Sequence, residues 1–187
     1  SLATEDATIA AQGLNDAPTI NNGATYNFTG TNEDTTSPPS TVTTILSGSG
    51  WADVDTAAVR GLAITSVVGT GTWQYSTDGA TWNSFGAVSA TSSLLLSATT
   101  QIRYFPNTQN GETASFTFRA WDTTSGTAST NSVRNFGDAS VNGGITAFSA
   151  QSATGQIVVT STNDAPVYDT SGTTTLTSIS EDATING

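Results

Sequence analysis

The side chains best suited to chemistry in this sequence are carboxylates, and they stand in small groups. Asp53 and Asp55 are two residues apart, so both side chains point the same way if the segment is extended. Carboxylate, amide and backbone oxygens are the ligands that Ca²⁺ prefers, about six to eight of them. The groups therefore predict a calcium site with ligands drawn from Asn15, Asp16, Glu33, Asp34, Asp53, Asp55 and Asp122.

The charge balance narrows the range of partners. The chain has 15 acidic residues against 4 basic ones and a net charge of −11 at pH 7. This charge disfavours nucleic acids and anionic membrane surfaces, and no apolar run approaches the roughly 18 residues of a membrane span. We therefore expect neither nucleic-acid binding nor membrane insertion. The alternative is that the acids only solubilise the surface. Asp138 and Asp169 have no obvious partners in the sequence, and we interpret them as surface or turn residues.

Internal repetition divides the chain into units. Asn15-Asp16-Ala17-Pro18 recurs as Asn163-Asp164-Ala165-Pro166, and Glu33-Asp34 recurs as Glu181-Asp182, both 148 residues later. Two separated motifs that share one offset indicate a tandem array of similar units. We expect the last strand and linker of a preceding repeat at 1–16, one complete repeat at 17–164, and the start of the next repeat at 165–187.

The second copy of the linker predicts a second cation site. Asn163, Asp164 and Glu181 are its candidate ligands. At the same offset, the counterparts of Asp53, Asp55 and Asp122 would fall beyond residue 187. We therefore expect the site at the first linker to be the more complete of the two.

Short runs rich in Thr, Val and aromatic residues, separated by Gly and Asn, predict an all-β protein. The expected strands are 25–28, 62–67, 72–75, 81–85, 101–105, 115–121 and 155–160. Asp78-Gly79 predicts the turn of a hairpin. Strands of this number and length favour an Ig-like antiparallel β-sandwich. No stretch shows helical periodicity, and the polar stretch 123–144 predicts an elaborated loop with room for a short extra strand.

Alternation along one predicted strand indicates which of its side chains are buried. Phe116, Phe118 and Ala120 share one face, and the residues between them share the other. Because successive side chains of a strand point to opposite faces, we expect the first set to face the core of the sandwich.

The sandwich topology is expected to bring the acids together. Glu33-Asp34 follows the first predicted strand, Asp53-Val54-Asp55 precedes the second, and Asp122 follows the strand 115–121. We expect these strand ends to share one pole of the sandwich with the linker Asn15-Asp16. Carboxylates gathered in this way repel one another unless a cation lies among them.

The missing residue types bear on catalysis. The sequence contains no His and no Cys, so the usual acyl-transfer triads lack their base and thiol nucleophile. Glycoside hydrolysis needs only two carboxylates and stays formally open. However, the acids here group near a linker and give no sign of a cleft, and we expect a protein that is not an enzyme.

Taken in order, the motifs resemble the cadherin-like tandem repeats of giant bacterial RTX-type surface adhesins. Each motif is short, but the ordered set spans the whole repeat, whereas the stretch 123–144 departs from the pattern. The resemblance implies Ca²⁺ at the junctions between repeats, contact with adjacent repeats, and an extracellular role as a stiff extender. The matching segments are Asn15-Asp16-Ala17-Pro18, Glu33-Asp34-Thr35, Asp53-Val54-Asp55, Ala120-Trp121-Asp122, residues 71–76 and residues 102–107.

Two other functions stay open at this stage. A subunit of an extracellular filament or biofilm matrix fibre would use the segments 1–14 and 167–179 for strand addition to neighbouring subunits. A carbohydrate-binding module would use Trp73, Tyr75 or Trp82 to stack on a glycan, although such residues are more often core or cross-strand partners. Polymerisation of the purified protein would favour the first, and binding on a glycan array the second.

Overall fold

Short strands dominate the secondary structure. The structure is a computed structural model that describes residues 13–166 and 171–172. Helix α1 (Val42–Gly48) is the one helix within those residues. The strands are β1 (Thr25–Asn27), β2 (Thr31–Asn32), β3 (Ser40–Thr41), β4 (Gly61–Val68), β5 (Thr72–Ser76), β6 (Asn83–Ser84), β7 (Ser93–Ser97), β8 (Gln101–Phe105), β9 (Glu112–Trp121), β10 (Phe136–Gly137) and β11 (Ala153–Thr160).

The strands form two sheets in a sandwich-like arrangement. The larger sheet has the order β1-β11-β9-β4-β7-β10, and β2 also pairs with β11; the smaller sheet has the order β3-β8-β5-β6. β1 and β2 run parallel to β11, whereas the other strand pairs are antiparallel. The predicted all-β class is confirmed. The predicted hairpin turn at Asp78-Gly79 is also confirmed, since it joins β5 to β6, and Gly79 has a φ of 74°.

The main core fills the space between the sheets. Phe116 and Phe118 of β9 face inward and are buried, as predicted, together with Ala120. Across the gap, Trp73 of β5 lies edge-on to Phe116 with 4.8 Å between the ring centroids. Each large apolar side chain buried in this way contributes about 1.5–3 kcal/mol. The core therefore fixes the strand ends that carry the acids.

A second, smaller core lies on the outer face of the larger sheet. We call residues 123–148 the insertion, because they form a long connection between β9 and β11. Its side chains Ala139, Ala147 and Phe148 cover Trp121, which is only 1% exposed although it points away from the main core. The predicted extra strand is confirmed as β10, which pairs with β7.

Helix α1 was not predicted. Its N-cap is Thr41, whose side chain accepts a hydrogen bond from the Thr44 N–H at 3.2 Å. Ile45 and Leu46 are fully buried in the main core. Seven residues are too few for periodicity to stand out, and packing rather than intrinsic propensity stabilises so short a helix. In the described part of the chain, no helix is long and apolar enough to cross a membrane.

The sandwich has two distinct ends. At the N-terminal pole β9 ends and β4 begins, since Gly61 pairs with Trp121. At the C-terminal pole β11 ends and β9 begins, since Val159 pairs with Glu112. The first linker, residues 13–18, lies at the N-terminal pole, and the second, residues 161–166, directly follows β11 at the C-terminal pole.

Candidate metal centre

The N-terminal pole brings together five of the predicted ligands. The Asn15 Nδ2 donates to Asp122 Oδ2 at 3.0 Å. The backbone N–H of Asp16 donates to Asp55 Oδ2 at 2.8 Å, and the N–H of Asp55 donates to Asp53 Oδ1 at 2.9 Å. These contacts join the linker, the turn before β4 and the end of β9. Five of the seven residues predicted at this pole therefore lie there, and their role as cation ligands stays a prediction.

Asp122 is held in place by the insertion. Its side chain is 3% exposed, and its Oδ1 accepts hydrogen bonds from the Thr124 backbone N–H at 2.8 Å and the Thr124 hydroxyl at 2.6 Å. Its own backbone N–H donates to the Ala147 carbonyl at 3.1 Å. The carboxylate of Asp122 is therefore fixed before any cation arrives.

Asp53 lies in an environment that disfavours its negative charge. Burial and the negative charges of Asp55, Asp122 and Asp16 raise its pKa, against the lowering effect of the Asp55 backbone N–H. Its Oδ2 is buried and has no hydrogen-bond partner within the described residues. An ionised oxygen without a partner is costly to bury. The position therefore fits a divalent cation, which would supply the missing positive charge.

A cleft of about 550 Å³ lies beside these acids. Asn15, Asp55 and Asp122 line it from the linker, the turn before β4 and the end of β9, and Gly13 lies at its edge. The cleft leaves room for oxygens from outside this unit, which a calcium site of about six to eight ligands requires.

Glu33 and Asp34 lie at the C-terminal pole, so the prediction of a single cluster is wrong for them. β2, just before them, pairs in parallel with Val159 and Thr160 at the end of β11. The Glu33 N–H donates to the Thr160 carbonyl at 3.0 Å. The chain after β1 therefore continues along the whole length of β11 to the far pole, away from Asp122.

Glu33 is a fully buried carboxylate with an incomplete set of partners. Its Oε1 accepts hydrogen bonds from the Thr162 backbone N–H at 2.8 Å and the Thr162 hydroxyl at 3.2 Å. That hydroxyl has one proton, which it shares between Glu33 Oε1 and the closer Asp34 Oδ2, at 2.6 Å. Its Oε2 is buried and, within the described residues, accepts no hydrogen bond. Like Asp53, Glu33 thus has one buried oxygen that a cation would satisfy.

The remaining predicted ligands stand beside this group or outside the described residues. Asn163 and Asp164 directly follow Thr162 and are exposed, and the Asn163 Nδ2 donates to the Asp164 carbonyl at 3.4 Å. Glu181 and Asp169 lie outside the described residues. Within residues 13–166 and 171–172, no three carboxylates form a group that could hold a metal ion by themselves.

Asp78 and Asp138 have structural partners of their own. Asp78 Oδ1 accepts the N–H groups of Thr81 and Ala80 in the β5–β6 turn, and these hydrogen bonds lower its pKa. Asp138 Oδ1 accepts the hydroxyl and the N–H of Ser140. The interpretation of Asp138 as a turn residue is confirmed.

Glu112, the first residue of β9, was not predicted. Its carboxylate lies at the C-terminal pole and is hydrogen-bonded to residues at one end of the smaller sheet. The Tyr104 hydroxyl donates to Glu112 Oε1 at 2.5 Å, and the N–H groups of Thr70 and Gly71 donate to its carboxylate. Burial raises the pKa of Glu112, but these hydrogen bonds outweigh it, and the pKa is lowered. The only signal in the sequence is a lone acid just before a strongly alternating strand.

The aromatic residues do not form the predicted glycan platform. Trp73 is 4% exposed and Tyr75 is fully buried, so neither can stack on a sugar. Trp82 packs against the Arg103 guanidinium, with 3.9 Å between Cζ and the ring centroid. The binding interpretation is therefore contradicted for Trp73 and Tyr75, which are core residues.

Comparison with known proteins gives no relative from which a function could be transferred. No family model, no curated protein and no solved structure matches the chain. The carboxylates and linkers at the two poles are therefore the features that bear on function.

Proposed function

We propose that this chain is an extender module of a bacterial cell-surface adhesin, and that Ca²⁺ binds at the junctions between successive modules. In this role the protein is a structural element outside the cell rather than an enzyme. Its partners are the adjacent repeats of the same chain. The cation stiffens an array that would otherwise bend at every linker.

The observation that supports this proposal is the pairing of each linker with acids at its own pole. At the N-terminal pole, Asn15-Asp16 contacts Asp55 and Asp122. At the C-terminal pole, Thr162 leads into Asn163-Asp164 and contacts Glu33 and Asp34. Of the ten acids in the described part of the chain, seven lie in or beside one of the two linkers, and the other three are Asp78, Glu112 and Asp138. Their concentration at both linkers points to a function of the junction.

The two poles carry complementary parts of one site. In a head-to-tail array, the C-terminal pole of one module faces the N-terminal pole of the next across one linker. The junction then receives the equivalents of Glu33 and Asp34 from the first module. It receives the equivalents of Asp53, Asp55 and Asp122 from the second, in an array whose linker motif recurs after 148 residues as it does in this chain.

The donor set fits Ca²⁺ better than other common cations. The candidate ligands are carboxylate and amide oxygens from separate chain segments, without His or Cys. Mg²⁺ requires near-octahedral geometry and gives up its water reluctantly, whereas Ca²⁺ accepts irregular oxygen sets. One buried oxygen each of Asp53 and Glu33 has no hydrogen-bond partner among the described residues, and at these positions a cation would replace repulsion by attraction.

Thermal unfolding with and without Ca²⁺ tests the proposal. Each unit has only part of a junction, so we expect a dissociation constant of about 1 mM, at the weak end for extracellular modules. At about 10 mM Ca²⁺ such a site adds about 1.4 kcal/mol to the free energy of unfolding. For a chain of this length, Tm then rises by about 3–6 °C relative to EDTA.

Asp55→Asn and the matched variant Asp78→Asn give this experiment its specificity. Both remove one carboxylate charge, but Asp78 belongs to a hairpin turn with its own partners. We expect Asp55→Asn to lose most of the response to Ca²⁺ and Asp78→Asn to keep it. An unchanged Tm in the native protein, or equal responses in the two variants, would refute calcium binding at the N-terminal pole.

A further inference from the structure

The insertion contacts the incoming linker directly. The Asn15 Nδ2 donates to the carbonyl of Thr146 at 3.1 Å and reaches that of Ile145 at 3.5 Å. The Ala17 N–H donates to the carbonyl of Gly144 at 2.7 Å. Three successive carbonyl groups of one turn thus face the linker. These contacts use backbone oxygens, so they need no cation.

The turn that supplies these carbonyls is closed by its own hydrogen bonds. The N–H and hydroxyl of Thr146 donate to the Gly143 carbonyl at 3.1 and 2.9 Å. The Gly143 N–H donates to the Phe148 carbonyl at 2.7 Å. Gly143 and Gly144 have φ values of 72° and 58°, in the left-handed region that glycine adopts without strain. The carbonyls therefore have a fixed direction.

The turn is also attached to the end of β9. Phe148 forms a β-bridge with Trp121, and both side chains lie in the second core. Asp122, the residue after Trp121, donates its N–H to the Ala147 carbonyl at 3.1 Å. The insertion thus holds the linker on one side and the strand end that carries Asp122 on the other.

We propose that the insertion is a clasp that fixes the direction in which the linker enters the N-terminal pole, without a bound cation. The linker direction sets the angle between this module and whatever precedes it. A linker that is already oriented lowers the ordering cost of completing a cation site. The clasp holds Asn15 and Ala17 through backbone carbonyls, whereas a cation would act on the carboxylates. This inference stands whether or not the junction binds Ca²⁺.

Two glycine variants separate the clasp from a general loss of stability. In both Gly144→Ala and Gly23→Ala, φ is positive and the added Cβ meets nothing within 4 Å. Both variants therefore impose backbone strain without a clash. Only Gly144 carries the carbonyl that accepts the Ala17 N–H, whereas the Gly23 N–H donates to Ser152.

Amide hydrogen exchange by NMR, on the full chain in EDTA, is the test. We expect the Ala17 amide to be protected in the native protein. Gly144→Ala should speed its exchange about tenfold, because strain in the turn lowers the cost of local opening. Gly23→Ala should leave Ala17 within about twofold of the native rate. The amides of β9 report whether each variant is folded.

Asn15→Asp is the second variant, and it keeps the proposal testable if Gly144→Ala does not fold. It keeps a side-chain oxygen for a cation, removes the Nδ2 donor to Thr146 and adds a negative charge beside Asp122. Both changes weaken the hold on the linker, so Ala17 should exchange about fivefold faster in EDTA. The clasp is refuted if Ala17 is unprotected in the native protein. It is equally refuted if both glycine variants change the exchange rate of the Ala17 amide alike, or if neither Gly144→Ala nor Asn15→Asp changes that rate. Failure of Ca²⁺ to raise Tm would overturn the proposed function and leave this result untouched.

Discussion

At the N-terminal pole, acids of the turn before β4 and of the end of β9 lie close to the incoming linker, whereas at the C-terminal pole a single buried carboxylate, that of Glu33, holds the departing chain. Asp53 has a raised pKa because of burial and the charges of Asp55, Asp122 and Asp16. Glu33 instead accepts two hydrogen bonds from Thr162. Without a cation, repulsion among carboxylates therefore destabilises the N-terminal pole, whereas hydrogen bonds to Glu33 stabilise the C-terminal pole.

The two poles also differ in what positions their acids. The N-terminal pole depends on the insertion, because Asp122 and the linker are both bonded to it. The C-terminal pole depends on the parallel pairing of β2 with β11, which is part of the main sheet. A change in the insertion should consequently affect one pole, and a change at Glu33 the other.

The largest expected effect is that of Trp121→Ala. Trp121 is the largest side chain of the second core, and truncation of a buried Trp costs about 3–5 kcal/mol. Urea denaturation measures the cost, and hydrogen exchange should show lost protection in the insertion and at Ala17 more than at Thr162. Phe118→Ala, in the main core, is the matched control. Equal loss at both poles in both variants would contradict the local role of the insertion.

Glu33→Ala should have the next largest effect. It leaves the Thr162 N–H without its acceptor, at a cost of about 2 kcal/mol, and should speed exchange at Thr162 but not at Ala17. Glu33→Gln keeps an oxygen that can accept from Thr162, and it removes the negative charge of a carboxylate whose Oε2 has no partner in the described part of the chain. In EDTA we therefore expect Glu33→Gln to lie within about 0.5 kcal/mol of the native protein. If the two variants unfold at the same urea concentration, the anchoring role of Glu33 is wrong.

Asp53→Asn should have a smaller effect of opposite sign. At pH 7 in EDTA it removes a repelled charge and should stabilise the fold by about 0.5 kcal/mol, while the response to Ca²⁺ is lost. Because folding raises the Asp53 pKa, the native state holds that proton more tightly than the unfolded state. Its contribution to stability is therefore present below the ordinary value of 3.8 and declines as pH rises through the folded pKa.

The pH dependence of Asp78→Asn provides the contrast to Asp53→Asn. Hydrogen bonds lower the Asp78 pKa, so the contribution of Asp78 is present at neutral pH and is lost as pH falls. In the native protein, Asp53 should lower and Asp78 should raise the free energy of unfolding as pH rises. Unfolding curves from pH 3 to 7 should thus show the first change missing in Asp53→Asn and the second missing in Asp78→Asn. The same direction of change in both variants would contradict the repulsive character of the N-terminal pole.

Much of the fold could be predicted from local patterns, and the exceptions have physical causes. Alternation along β9 identified the inward face correctly. β7 was missed because Leu94, Leu95 and Leu96 are all buried, between the main core and the second core. A strand covered on both faces has no alternation to detect.

The candidate site was predictable only where sequence neighbours determine it. Asp53 and Asp55 lie together because they are two residues apart, and Asp122 directly follows a strand that alternation identifies. The position of Glu33 depends on the pairing of β2 with β11, which joins segments more than 100 residues apart. No local pattern encodes that pairing, so the sequence placed Glu33 at the wrong pole.

The most direct test of the account is the Ca²⁺ affinity of a chain in which residues 17–164 occur twice in succession. Such a chain contains one complete junction, with both sets of carboxylates around one linker. By calorimetry, we predict one site that binds Ca²⁺ about tenfold or more tightly than the single unit does. An affinity that is the same for the single and the doubled chain would contradict the claim that the two poles form one site.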